Sequence, residues 1–428
     1  MWCTSIPFKA GLTALLAAGT NLIALEGQVP APALGHEVIL ERTRANNHLL
    51  RSAKMRIGEA SGTVTQAAVF LMNNPEISVS GGRRTAPTGV GSFDPEFEVG
   101  IEQRFEIGGK RGGRTGFARA SLEATQADAA DVERVVALAA TLAFYEGIAA
   151  RERVVLAERN EGLADELWDL AQRRLDVGVG TPLELNAAVI RLAEARRFSL
   201  EAGGTEDAIL LRLKLLIGSD PDEPMTLSGT LPEASAPVSE SEVVARALAT
   251  RPDLRAAGHR LDAADAASRL AGAQTWPDVT VGAFFGQEEG DELLRAGVRI
   301  PLTLFNRNQG NREATRLARE RTTIDREGLA LAVVMEARST SLLYDQARTA
   351  LQLYDDNVLT ALQESAGLVQ LAAEAGELSI ADVLVVQREL VDGLRGYLDA
   401  RLTLATARAR LLAAASLPQI TDLQGSVR

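Results

Sequence analysis

Asn74-Pro75-Glu76-Ile77-Ser78-Val79-Ser80 returns later in the chain as Trp276-Pro277-Asp278-Val279-Thr280-Val281-Gly282. Each copy sets a proline ahead of an alternating run. In the first, Ile77 and Val79 share one face, and Ser78 and Ser80 the other. That is the period of a strand. A second alternating stretch follows each copy, then a long helical run that turns at a glycine hairpin. Val177-Gly178-Val179-Gly180-Thr181-Pro182-Leu183-Glu184 matches Ala375-Gly376-Glu377-Leu378-Ser379-Ile380-Ala381-Asp382. A two-fold internal repeat of helix, two strands and two long helices constrains the fold more than any single motif. The first repeat spans 35–217 with its strands in 75–107. Residues 218–240, with Pro221, Pro224, Pro232 and Pro237, read as a linker. The second repeat spans 241–417 with strands in 277–304, and 418–428 reads as a tail.

Phe97, Val99, Ile101, Phe105 and Ile107 point one way, and Glu98, Glu102, Arg104 and Glu106 the other. In the second copy Leu294, Ala296, Val298, Ile300, Leu302 and Leu304 share a face opposite Arg295, Arg299 and Thr303. No proline interrupts the stretch from Gly112 to Val177, which predicts a helical rod about 100 Å long. Asn308 to Ala375 predicts a second rod. The helices ahead of the strands are expected at 35–72, with an irregular middle, and at 242–273, interrupted at Arg251-Pro252. Val383, Val386, Leu390, Leu394 and Tyr397 follow the 3-4-4-3 spacing of a coiled-coil seam.

Aromatics make up only 4% of a chain that is 46% hydrophobic, which suits long helices packed through small residues. The net charge of −12 argues against a nucleic-acid partner, which needs a basic surface. Cys3 is the sole cysteine, and His36, His48 and His259 do not cluster, so no cofactor or metal site is expected. Lys9 precedes an uncharged run that ends at Glu26, and residues 1–24 read as a secretory signal peptide. No later run of about 18 apolar residues predicts a transmembrane helix. Gly108-Gly109-Lys110-Arg111-Gly112 lacks the Ser or Thr of a phosphate loop, and nothing resembles a nucleophile–base pair. An enzyme is not expected.

Four strands with one apolar face need a core or lipid against that face. They cannot close a barrel, since about eight are needed for a narrow one. An open sheet in lipid would leave unpaired backbone groups at several kcal/mol each. Three chains of four strands give 12 strands in one closed barrel. The expected fold is an α+β membrane protein, with long α-helical coiled-coil hairpins and four β-strands per chain in a trimeric 12-stranded β-barrel. The alternative of another class is a soluble coiled-coil scaffold.

The pattern resembles the outer-membrane efflux protein (TolC-type) family from residue 35 to 417. Two strand-to-helix exits carry the likeness: Phe105-Glu106-Ile107-Gly108-Gly109-Lys110-Arg111, and Ile300-Pro301-Leu302-Thr303-Leu304-Phe305-Asn306-Arg307-Asn308-Gln309-Gly310. The pair is most similar to the cobalt–zinc–cadmium (CzcC-like) branch. The resemblance implies a homotrimer whose barrel crosses the outer membrane lipid and continues as a helical tunnel in the periplasm. It implies a passive channel in a tripartite efflux system, with a periplasmic adaptor (membrane fusion) protein and an inner-membrane efflux pump. Heavy-metal export of the resistance–nodulation–division type is the expected task. A drug-efflux or type I secretion channel is the alternative on the same fold.

By the same resemblance, Gly178, Val179 and Thr181 in one hairpin, and Gly376, Leu378 and Ser379 in the other, form periplasmic tips that meet the adaptor. Asp382 falls where relatives carry a pore-facing acid, with Glu374 and Glu377 close in sequence. A ring of such carboxylates in a narrow constriction favours cations. Val385 stands where a second acid would sit one turn later. Asp382 is equally suited to the helix N-terminus, a role worth about 0.3–1 kcal/mol, and both roles stay open here. Glu98, Glu102, Arg104, Glu106, Arg295 and Arg299 would face the barrel lumen. Their mixed signs describe a wet wall rather than a filter.

Overall fold

The computed structural model describes residues 33–83, 95–233, 237–288, 291–375 and 379–417. The expected signal (1–24) and tail (418–428) lie outside the described residues. The chain opens with β1 (Ala33–Leu34) and two short helices, α1 (His36–Asn46) and α2 (His48–Ala68). Strands β2 (Glu76–Arg83) and β3 (Pro95–Phe105) follow, then α3 (Lys110–Asp176) and α4 (Pro182–Ile217). After β4 (Thr226–Leu227) come α5 (Glu240–Thr250), α6 (Pro252–Ala273), β5 (Val279–Glu288) and β6 (Asp291–Arg299). The chain finishes with α7 (Gln309–Gln352), α8 (Asp356–Ala375) and α9 (Ile380–Ala414).

Two helix breaks are set by the residues at the bend. Between α1 and α2, Asn47 leaves helical geometry, and its Oδ1 accepts from the Leu49 N–H at 2.9 Å. Its Nδ2 donates to the Leu216 carbonyl at 2.9 Å, tying the break to the end of α4. Between α5 and α6, Pro252 cannot donate to the preceding turn and pushes Arg251 into extended geometry.

The four main strands form one antiparallel sheet in the order β2-β3-β5-β6. Ser78 pairs with Gly100, Phe105 with Val279, and Thr280 with Arg299. The helices next to the sheet keep the same order, α2-α3-α6-α7, side by side. Farther away the order is α4-α3-α9-α8. The first half therefore supplies one edge throughout (β2, α2, α4), and the second half the other (β6, α7, α8). Two apolar cores pack the middle. One surrounds Phe144 with Ile39, Leu213, Ile217 and Leu227, and the other surrounds Tyr344 with Val243, Val333, Leu404 and Leu411.

The structure corrects four expectations. The last strand ends at Arg299 instead of 304, because β5 begins only at Val279 and Pro301 lacks a ladder N–H. The second rod is broken between Gln352 and Asp356, where the Asp355 carboxylate accepts from the Val358 N–H at 2.9 Å and starts a new helix. The 218–240 linker contributes to the core: β4 pairs in parallel with β1, and Met225, Leu227 and Leu231 are buried. On α9 the buried seam is Ile380, Val383, Gln387 and Val391. Of the expected seam residues only Val383 is fully buried, because α9 divides its surface among α3, α7 and α8.

Candidate functional site

The sheet has two chemically distinct faces, and both are open in the single chain. Ile77 and Val79 on β2 are 73% and 75% exposed, and Leu294 and Val298 on β6 are 78% and 66% exposed. Val99, Ile101, Val281 and Phe285 continue this face across the centre. Each such side chain gains roughly 1.5–3 kcal/mol on leaving water. A contiguous apolar face of this kind marks a surface that meets lipid or protein.

The opposite face carries ions that cross strands. Glu98 on β3 pairs with Arg295 on β6, and Arg299 Nη2 lies 3.0 Å from Glu102 Oε1. Both pairs span β5, whose Gly286 and Gly282 stand beside Glu98 and Glu102. Glycine leaves the space through which these long side chains reach. The Phe284 ring occupies the floor between them: a Cβ on Gly100 would run into it, and one on Gly282 would come within 2.9 Å of its Cε2. These exposed ion pairs contribute little stability, about 0–1 kcal/mol each. Their consequence is electrostatic, because opposite charges are matched within one chain. Phe284 escaped the sequence reading because it breaks the polar alternation. Its available signal was the glycine spacing of Gly282 and Gly286 on the same strand face.

Arg104 and Glu106 sit lower, at the strand-to-helix junction. Arg104 Nε lies 3.2 Å from Asp278 Oδ2, and Lys110 Nζ lies 2.5 Å from the other oxygen. Asp278 thus ties the end of β3 to the start of α3. Glu106 lies one residue past β3, where Arg114 binds both of its oxygens at 2.5 and 2.6 Å. Arg114 also donates to the Ala67 and Val69 carbonyls at the end of α2. These groups brace the junction. Gly109 starts α3 with φ 82°, and Asn308 starts α7 with φ 57°.

At the other end, α3 turns into α4. The Val179 and Gly180 N–H groups both donate to the Arg174 carbonyl, at 3.0 and 2.8 Å, while Gly178 adopts φ 78°. Thr181 caps α4: its Oγ1 accepts from the Glu184 N–H at 3.2 Å, and Glu184 Oε2 accepts from the Thr181 N–H at 3.0 Å. At α9, Ser379 Oγ accepts from the Asp382 N–H at 3.2 Å and donates to Asp382 Oδ2 at 2.6 Å. The exposed Asp382 carboxylate therefore has a capping partner within its own turn. Ile380 packs with Ala171 and Ala188, and Val383 with Leu167, so the start of α9 lies beside the α3–α4 hairpin. Gly376, Glu377 and Leu378 lie outside the described residues, and Glu374 falls in the last turn of α8.

Comparison with known proteins agrees with this architecture. The family model for the outer membrane efflux protein matches residues 39–219 and again 243–416. The cobalt-zinc-cadmium resistance protein CzcC of Cupriavidus metallidurans is 26% identical over 392 residues, 89% of each chain. The pyoverdine export outer membrane protein OpmQ of Pseudomonas putida is 26% identical over 58% of this chain and 55% of its own. The open-state MtrE outer membrane channel of Neisseria gonorrhoeae has the same fold, with a TM-score of 0.73 and 19% identity over 97% of this chain and 98% of that one. With family matches to both halves, this chain belongs to the outer membrane efflux protein family.

Proposed function

We propose that this protein is the outer-membrane channel of a tripartite efflux system and acts as a passive conduit for heavy-metal ions. One observation carries the conduit reading. The sheet is apolar on one exposed face and ion-lined on the other, and its open edges coincide with the open edges of the helical layers. A two-fold repeat repeated in three copies would close both layers, giving a 12-stranded barrel over a helical tunnel. The apolar face then meets lipid and the Glu98–Arg295 and Glu102–Arg299 pairs face water. Among the described residues no helix is long and apolar enough to cross a membrane, so the strands are the spanning elements of this reading.

The α3–α4 hairpin and the adjacent start of α9, with Gly178, Val179, Thr181 and Ser379, are the surface for a periplasmic adaptor, which would couple the channel to an inner-membrane pump. Gly376 and Leu378, which lie outside the described residues, are proposed as adaptor contacts from their place in the sequence alone. Asp382 supplies the acidic constriction in this reading, and Glu374 and Glu377 are assigned to it from their nearness in the sequence alone. Similarity to CzcC over most of both chains supports metal as the cargo. Similarity to OpmQ favours a second reading, export of an organic molecule through the same conduit.

The deciding experiment extracts the protein from the outer-membrane fraction with detergent and measures its native mass. A trimer that conducts ions in planar bilayers is expected. A soluble monomer or dimer would return the long helices to a scaffold role. Deleting the gene should lower tolerance to cobalt, zinc or cadmium salts, and unchanged tolerance would favour the organic cargo.

A further inference from the structure

The open sheet edges hold information about how a neighbouring copy is seated. Trp276-Pro277 follows Asn74-Pro75 by 202 residues (277 less 75). Asn308, the left-handed residue ahead of α7, follows Gly109, its counterpart ahead of α3, by 199 (308 less 109). Moving the observed pair Ser78↔Gly100 by those two intervals gives Thr280↔Arg299, which is also an observed pair. Both hairpins therefore keep one register, and intervals measured outside the strands reproduce it.

The same transfer can be applied to the β3–β5 seam, which joins the two halves. Its pairs are Ile101↔Ala283, Gln103↔Val281 and Arg104↔Thr280. We infer that β6 of one copy pairs with β2 of the next in the transferred register: Ile300 opposite Gly81, Leu302 opposite Val79, and Thr303 opposite Ser78. The inference rests on the trimeric reading above and adds to it a specific inter-subunit ladder.

Three observations favour this seating. Leu302 and Val79 are 79% and 75% exposed and share the apolar face, while Thr303 and Ser78 share the polar one. A slip of one residue would set apolar against polar side chains along the whole edge. The ladder also gives a partner to 300–304, whose alternation continues past the end of β6. The first half contains the counterpart: Gln103, Arg104 and Phe105 pair with β5 and extend beyond the β2 ladder, which ends at Glu76↔Glu102. In the single chain the Leu304 N–H instead donates to the nearby Leu302 carbonyl at 3.0 Å, a local bond that the ladder would replace.

The test uses the full chain with Cys3→Ser, carrying T303C/S78C or L302C/V79C, oxidised in isolated outer membranes. Neighbouring antiparallel pairs alternate between Cα separations of about 5.5 and 4.5 Å, both within reach of a disulfide. Covalent dimers and trimers on a non-reducing gel are expected from at least one predicted pair, and none from the two-residue slip T303C/S80C. Bonding in the slipped pair alone would overturn the register. A native trimer with no bond in either predicted pair would also overturn it and leave the trimeric reading standing. A native monomer would overturn both.

Discussion

The two halves break their first helix at the same place with nearly the same backbone, φ −57° and ψ 128° at Asn47 against φ −63° and ψ 128° at Arg251. Both residues are buried, yet their chemistry differs. Asn47 is neutral and bonds to backbone groups. Arg251 is held by charge, with Nη2 2.7 Å from Asp253 and Nη1 2.5 Å from Glu336 on α7. The fold specifies the bend, and the sequence is free to choose what stabilises it. A neutral bend is self-contained. An ionic bend links α5, α6 and α7 but depends on every partner keeping its charge.

That contrast predicts unequal costs. R251A leaves the Asp253 and Glu336 carboxylates without their common cation, and should destabilise the protein by about 3 kcal/mol, the low end for a broken buried pair because Glu336 is half exposed. N47A removes a cap worth about 1 kcal/mol and leaves the Leu216 carbonyl short of a donor, another 1 kcal/mol or so. Denaturant midpoints of the detergent-solubilised protein would measure both. Equal losses would erase the distinction between the two bends.

Acid provides a finer probe of the same difference. Burial pushes the Asp253 carboxyl up, but the hydrogen bond and charge of Arg251 outweigh it and hold the pKa below the ordinary value. A carboxyl with a depressed folded pKa contributes its full stabilisation above the unfolded value of about 4. That contribution is lost as pH falls through the folded pKa. Wild type and N47A should therefore lose stability together below about pH 4, while R251A should lack this part of the acid sensitivity. Parallel pH–stability curves for all three would show that the ionic bend does not govern the acid response.

How much of this was legible follows from how local each cause is. Pro252 announced its break in the sequence. Asn47 was visible only as an irregularity, because its decisive partner, the Leu216 carbonyl, lies far along the chain. The break after Gln352 contains neither glycine nor proline. Asp355 caps the new helix locally, and tertiary fit seats the break: the Tyr354 ring is tilted against Tyr397 with centroids 5.7 Å apart, and its hydroxyl occupies the space that a Cβ on Gly396 would need. Alternation gave the two faces of the sheet and four of its central charges. It could not show that Glu98 meets Arg295, because that pairing depends on the register of three strands and on glycine in the middle one.

The smallest predicted effect compares the two hairpin ends. Glu184 and Asp382 both follow a hydroxyl N-cap by three residues, but Glu184 reaches back to a backbone N–H and Asp382 only to the Ser379 hydroxyl. E184Q and D382N should each cost only about 0.5 kcal/mol, since both retain a capping oxygen and lose the favourable charge near the helix start. Their effects on conduction should diverge. If Asp382 supplies a three-carboxylate constriction, D382N lowers the cation preference of the purified pore while E184Q leaves it unchanged. Reversal potentials in a salt gradient separate the two roles, because a charge that only caps α9 would not alter selectivity. Unchanged selectivity in D382N would confine Asp382 to the cap.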